Sequence, residues 1–231
     1  MDAVEGLKRA AAGEAVARVR SGMRLGLGTG STVAHFLDLL GADISEGRLT
    51  GIVGVPTSER TTMASRALGI PLTTLAETPR LDLAVDGSDE VDPRLDAIKG
   101  LGGAHLREKM VAQAADQFLL IVDEGKLVQG LGEKSPVPVE VVRFGWESHL
   151  PALEGAGARP VLRVGPDGEP YVTDNANYII DAHFPEGIGD PVSLERSLIA
   201  RAGIVETGLF LGMAAAVMVA SPQGTRVMER R

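Results

Sequence analysis

Short apolar runs that end in glycine or hydroxyl residues and give way to a helical repeat recur through the first half of this chain. No other feature narrows its possible folds as far. Met23–Leu27 (MRLGL) is followed by Gly28-Thr29-Gly30-Ser31-Thr32 and then by the helical stretch Val33–Leu40. Gly51–Val55 leads into Pro56-Thr57-Ser58-Glu59, a good helix start, and a helix over Arg60–Leu68. Leu72–Leu75, Leu81–Val85 and Gln117–Val122 read as further apolar segments, and residues 2–20 carry Val4, Leu7, Ala11, Ala15, Val16 and Val19 near a helical repeat. Strand and helix in alternation predict an α/β chain with a doubly wound, largely parallel sheet. Ligands of such sheets sit beyond the carboxyl ends of the strands. Thr29–Thr32, Thr57–Ser58, Asp86–Asp89 and Asp123–Lys126 all follow strands in that sense, so these polar stretches are expected to share one rim.

The pattern changes after Leu131-Gly132. Strands are expected at Val137–Phe144, Pro160–Val164, Ala176–Ala182 and Gly203–Leu211, with helices at Glu147–Ala156 and Ser193–Ala202. That order, β-α-β-β-α-β, is the order of a ferredoxin-like unit. Met213–Ala220 reads as a last strand able to rejoin the main sheet. The expected domains are therefore a Rossmann-like catalytic domain, 1–132 plus 208–231, and a smaller inserted ferredoxin-like α+β domain, 133–207.

The loop Gly28–Thr32 between a strand and a helix suits an anion, because backbone N–H groups and a helix N-terminus converge there. A nucleotide loop of the Walker type needs Lys before the Ser/Thr, and Gly30 stands there instead. A dinucleotide fingerprint starting at Gly26 needs glycine at position 31, and Ser31 stands there. What remains is a hydroxyl-rich anion cradle, or simply a tight turn capped by Ser31 or Thr32. Composition removes other classes. With 23 basic and 31 acidic residues the formal net charge is −8, which opposes nucleic acid or an anionic membrane as partner. Aromatics at 3% give no base-stacking platform. Cysteine is absent, so thiolate nucleophiles and thiolate-bound metals are excluded. The N-terminus does not read as a signal peptide, the longest mostly apolar run, Gly208–Ala220, is too short to span a bilayer, and a cytoplasmic protein is expected.

Chemistry is densest from Asp86 to Lys109, DGSDEVDPRLDAIKGLGGAHLREK. Carboxylates and a lysine gathered at a strand end and a glycine turn are what proton transfer on a small anionic substrate requires. With GLGTGST (26–32), PTSERT (56–61), DGSDEVD (86–92), IKGLGGAHLREK (98–109), VDEGK (122–126), PVPVEVV (136–142), VTDNANYIID (172–181) and GIVETGLF (203–210) in order, the chain resembles the type A ribose-5-phosphate isomerases over almost its whole length. The resemblance implies interconversion of D-ribose 5-phosphate and D-ribulose 5-phosphate through an enediol(ate), in the non-oxidative branch of the pentose phosphate pathway. It implies no metal or organic cofactor, and a homo-oligomer, dimer or tetramer. By the same resemblance Glu108 is the general base, and Asp86, Asp89 and Lys99 act on the sugar. Thr29, Gly30, Ser31, Thr32, Gly87, Ser88, Gly100, Leu101, Gly102, Lys126 and Lys8 bind the substrate, Lys8 at its phosphate. One departure is visible: the family commonly runs several glycines after the lysine, and here Leu101 interrupts them.

The remaining residues are weaker candidates. His35, His105, His149 and His183 are scattered with no metal-ligand spacing. Glu59 and Arg60 fit a helix start, and Trp146 fits a core position. Two other functions share parts of the pattern: an amino-sugar phosphate deaminase-isomerase, and a non-catalytic sugar-phosphate sensor domain. A sensor of the transcriptional kind needs a DNA-binding module, and the residues ahead of the first strand form one helix.

Overall fold

The structure, a computed structural model, describes residues 3–230. In chain order its first elements are α1 Ala3–Val16, β1 Arg24–Leu27, α2 Ser31–Ser45, β2 Val53–Pro56, α3 Glu59–Ala67 and β3 Leu83–Asp86. There follow β4 Glu90–Val91, β5 Ala97–Ile98, α4 His105–Ala114, β6 Phe118–Asp123, β7 Val137–Val141 and α5 Leu150–Gly155. The last are β8 Arg159–Leu162, β9 Tyr178–His183, α6 Pro191–Ile199, β10 Ile204–Thr207, β11 Leu209–Phe210, β12 Ala216–Ser221 and β13 Gly224–Glu229. By its internal contacts the chain falls into two units. One holds the residues up to Ser88, Arg107–Lys126 and the stretch from Met213; the other holds Asp89–Leu106 and Leu127–Gly212. Compared with the boundary read from sequence, 89–106, 127–132 and 208–212 fall in the second unit.

In the first unit six strands run in the order β13-β12-β6-β3-β1-β2, parallel except for β13. Alternate residues Leu25, Leu27, Leu83, Val85, Leu119, Ile121 and Met218 enter one core with Ala11, Ala15, Phe36, Leu37 and Leu40 of α1 and α2. Each such large aliphatic side chain stabilises the fold by about 1.5–3 kcal/mol. On the opposite face Gly26 admits α4: a Cβ there would lie 2.5 Å from Val111 Cγ1. Arg24 and Asp82 pair at the amino ends of the strands, 2.7 Å apart, and this guanidinium holds the Asp82 carboxyl down at about 2. Leu72–Leu75, expected as an apolar segment in the strand series, contributes a single bridge from Leu72 to Gly54 and then turns. β13 was not foreseen. It completes a hairpin with β12 at the sheet edge.

The second unit contains an antiparallel sheet in the order β10-β7-β9-β8, flanked in sequence by α5 and α6, which is the expected ferredoxin-like pattern. Asp190 caps α6, accepting from the Val192 and Ser193 amides at 3.1 Å. Trp146 packs onto the core of this unit as a structural residue. The stretch Gly203–Leu211, expected as one strand, splits at Gly208 into β10 and β11. β11 joins a separate small sheet in the order β11-β5-β4. The reason is steric: a Cβ at Gly208 would lie 2.2 Å from the Lys99 carbonyl oxygen, so the chain there is pressed against another backbone. Among the described residues no helix is long and apolar enough to cross a membrane.

His149 is buried in this unit, its ring against Gly203, where a Cβ would lie 2.9 Å from Nε2. Burial, with Arg201 adding to it, pushes the imidazole below its usual 6.5. The unfolded chain therefore takes up the proton first as pH falls. Stability from the neutral ring is complete above about pH 6.5 and is lost as pH drops through the lowered folded value. His149→Leu is expected to flatten the fall of melting temperature between about pH 7.5 and 5.5. An unchanged slope would refute the assignment.

Candidate active site

Parallel strands put their carboxyl ends on one rim, and β6, β3, β1 and β2 are neighbours in the first unit. The loop Gly28–Gly30, Thr57, Asp86 and the turn Glu124–Lys126 therefore gather on that rim, whereas Asp89, expected with them, falls in the second unit. Asp86, the last residue of β3, is 2% exposed. Its Oδ1 accepts from the amides of Thr29 at 3.0 Å and Gly87 at 2.7 Å. Gly28 permits this approach: a Cβ there would fall 2.3 Å from the Asp86 carboxyl carbon. Only glycine fits.

Thr29 turns its hydroxyl inward. It meets the hydroxyls of Thr57 at 2.8 Å, Ser58 at 2.8 Å and Thr61 at 3.0 Å. Ser58 caps α3 and Thr61 donates to the Gly28 carbonyl at 2.8 Å. The motif PTSERT thus braces the loop from behind, a role that the order of hydroxyls along the sequence did not disclose. Neither Ser31 nor Thr32 caps α2. Gly30 is the N-cap, at φ +137°, and its position carries no side-chain cap bond. The helix start stays open to an anion, with Ser31 exposed and Thr32 half-buried. Lys8 donates to Glu5 Oε1 at 2.6 Å, and Glu5 Oε2 lies 2.8 Å from His35 Nε2, which ties α1 to the first turns of α2. The two partners hold the Glu5 carboxyl below its usual range. Lys126 ends its turn, shaped by Asp123 Oδ1 accepting from the Gly125 amide at 3.0 Å.

Glu108 belongs to the first turn of α4 and is 4% exposed. The far end of α4 is pinned at the amino end of β3, where the Leu81 amide donates to the Ala114 carbonyl at 2.8 Å. Six residues back along a helix is about 9 Å, close to the length of β3 itself. Glu108 also precedes Val111 by one turn and so shares its sheet-facing side. α4 thus carries Glu108 to the level of Gly28 and Asp86. Glu59 reaches its neighbour Arg107 at 2.9 Å, giving that surface glutamate an ion pair between α3 and α4.

The second unit holds Asp89, Lys99 and the turn Gly100–Gly103. Lys99 is 2% exposed, with Nζ 5.4 Å from the Phe210 ring centre. Its amide donates to the Gly208 carbonyl at 2.9 Å, which explains why β10 breaks where it does. Asp89 Oδ2 accepts from the Leu101 amide at 3.0 Å. Positive φ falls at Gly100 and Gly103, not at Leu101, whose side chain is exposed. The departure from the all-glycine run therefore costs no backbone strain. His105 fills the space a Gly100 side chain would need, and Tyr171 does the same at Gly103.

Buried acids complete this unit. Glu90 is fully buried and accepts from the amides of Gly132, Lys134 and Ser135. Glu140, also fully buried, accepts at Oε1 from Thr173, Asn175 and Asn177, while Oε2 faces His105 Nε2 at 3.9 Å. The motif VTDNANYIID is largely the donor set of that carboxylate. The four histidines sit apart, and among the described residues no group of three or more His, Asp or Glu could hold a metal ion.

A doubly wound sheet with an open glycine loop and buried carboxylates at its carboxyl rim defines an α/β protein of the enzyme kind, with a site suited to a small anionic ligand. Residues 53–224 match the model of the family "Ribose 5-phosphate isomerase A (phosphoriboisomerase A)". The chain is 51% identical to a ribose-5-phosphate isomerase A of Roseiflexus castenholzii, over 96% of this chain and 94% of that one. It is 50% identical to a probable chloroplastic ribose-5-phosphate isomerase of Arabidopsis thaliana, over 97% and 83%. Among solved structures it matches a D-ribose-5-phosphate isomerase in complex with phospho-erythronic acid, with TM-score 0.95, 41% identity and coverage of 98% and 99%. The enzyme of Methanocaldococcus jannaschii gives TM-score 0.92 at 41% identity, covering 97% and 99%. The chain belongs to the ribose 5-phosphate isomerase A family.

Proposed function

We propose that this chain interconverts D-ribose 5-phosphate and D-ribulose 5-phosphate through a cis-enediolate, with Glu108 as the base. The observation that carries the reading is a carboxylate buried to 4% in the first turn of α4 and brought level with Asp86 and the glycine loop. Asp86, held by two amides, passes the proton that opens the sugar ring. Glu108 then takes the proton from C2 of the open aldose, and the electron pair moves to O1. Lys99, a buried cation, meets that oxygen. Asp89 passes a proton between the two enediol oxygens, and Glu108 returns its proton to C1 to give the ketose. Carbons 1 and 2 exchange oxidation levels within one molecule, so the step needs no redox partner. Thr32, Ser31 and Gly30 offer the open start of α2 to the phosphate, with Lys8 and Lys126 supplying charge; Gly87, Ser88, Gly100, Leu101 and Gly102 line the sugar.

In this reading the Rossmann-like domain carries the base and the phosphate cradle. The ferredoxin-like domain also supplies an assembly surface for a homodimer or homotetramer, and the setting is cytoplasmic. The discriminating experiment is a coupled assay for ribulose 5-phosphate from ribose 5-phosphate, with chelator present and no metal added. Turnover is expected. Tight binding without turnover would instead favour a sensor, and ammonia release from an amino-sugar phosphate would favour a deaminase.

A further inference from the structure

Arg163 lies just beyond β8, in a backbone pinned on both sides. Its amide donates to the Ile179 carbonyl and its carbonyl accepts from the Tyr171 amide, both at 2.8 Å. The guanidinium forks onto Asp181 of β9, with Nε donating to Oδ2 at 2.9 Å and Nη2 to Oδ1 at 2.5 Å. That leaves Nη1, which donates to the carbonyls of Gly100 at 2.9 Å and Leu101 at 3.1 Å. Arg163 is 12% exposed and Asp181 16% at the side chain, so water competes little for these bonds. Tyr171, whose ring centre lies 5.9 Å from the guanidinium, occupies the space left by Gly103.

We propose that Arg163, held by Asp181, is a positioning residue for the turn that follows Lys99. A trans peptide is planar, with its C=O and N–H pointing opposite ways. Drawing the Gly100 carbonyl to Arg163 therefore sends the Leu101 N–H the other way, where Asp89 accepts it at 3.0 Å. Drawing the Leu101 carbonyl in turn aims the Gly102 N–H away from Arg163. One guanidinium thus fixes two consecutive peptide planes, and through them Asp89 and the stem of Lys99. The fork on Asp181 engages the rest of its charge, so Arg163 serves the turn and not the phosphate. The inference rests on the role given to Lys99 above.

The test measures kcat and KM separately for Arg163→Gln, Arg163→Lys and Lys99→Met, and for Arg163→Gln combined with Lys99→Met. Arg163→Gln is expected to lower kcat by about 10–100-fold, since a displacement near 1 Å costs that order, with KM moving less than about threefold. Arg163→Lys recovers little, because an ammonium cannot fork onto a carboxylate and also meet two carbonyls. In the Lys99→Met background the cost of Arg163→Gln largely disappears, because both act through one group. Added guanidinium restores part of the kcat of Arg163→Gly and none of that of Lys99→Met. If Arg163→Gln does not fold, Asp181→Asn takes its place with a smaller loss of the same kind. Normal kcat in the Arg163 and Asp181 variants, or costs that simply multiply in the double variant, overturns the positioning role. Near-normal kcat for Lys99→Met alone removes the underlying reading instead.

Discussion

Glu108→Gln is expected to bind the phosphosugar within a few-fold of the parent chain and to lose turnover by about 10²–10⁴-fold, the usual worth of a positioned base. The substitution keeps the volume and most hydrogen-bonding capacity of a side chain that is 4% exposed, so packing around α4 changes little. What it removes is the ability to take a proton from carbon. In the proposed reading, phosphate binding belongs to the start of α2, Lys8 and Lys126, which α4 does not supply. Loss of kcat with KM nearly unchanged is therefore the signature, measured by steady-state kinetics beside calorimetric binding of an unreactive phosphosugar acid. Near-normal kcat would take Glu108 out of the base role. A matched fall in binding would show instead that the carboxylate holds the sugar and that proton transfer lies elsewhere. The same variant should also stop exchange of the C2 hydrogen with solvent, which reads the proton step before ketose is released.

The rim and its loops were legible in the sequence because each depends on local signals. An apolar run followed by glycine and then a helical repeat marks a strand and the end of it that faces ligand, and Gly28–Thr32 and Asp86 were placed by that alone. The failures were where the local signal is too short or where a distant contact decides. β4, β5 and β11 span two residues each, below any periodicity. Gly208 looks like an ordinary glycine in an apolar strand until the Lys99 carbonyl is brought against it. Leu72–Leu75 has the composition of a strand but finds only one bridging residue. Thr29 was expected to face the anion, yet three hydroxyls from 57–61 draw its side chain inward. Arg163 gave no signal at all: its partners lie 62 and 63 residues back and 18 ahead in the chain, a pattern that no local motif encodes.

Glu140→Ala is expected to destabilise the second unit by about 3–5 kcal/mol, the usual cost of deleting one member of a buried charged network. Glu140 is fully buried, and its Oε1 collects the Thr173 hydroxyl at 2.9 Å and the amides of Asn175 at 3.2 Å and Asn177 at 2.9 Å. Two asparagines two places apart reach one oxygen because Ala176 between them takes φ +64°. A non-glycine residue there costs roughly 1–2 kcal/mol, which this network offsets. Removing the carboxylate leaves three donors facing a void, and it also removes the group opposite His105, whose ring props Gly100. At about 2–4 °C per kcal/mol for a chain of this size, the melting midpoint should drop by roughly 10 °C. Glu140→Gln keeps an acceptor at Oε1 and should lose less than half as much. Ala176→Gly in the parent should raise the midpoint slightly, since it relieves the strained residue without touching the carboxylate. A loss below about 1 kcal/mol for Glu140→Ala would mean that water enters and satisfies the donors, and that VTDNANYIID answers to some other demand.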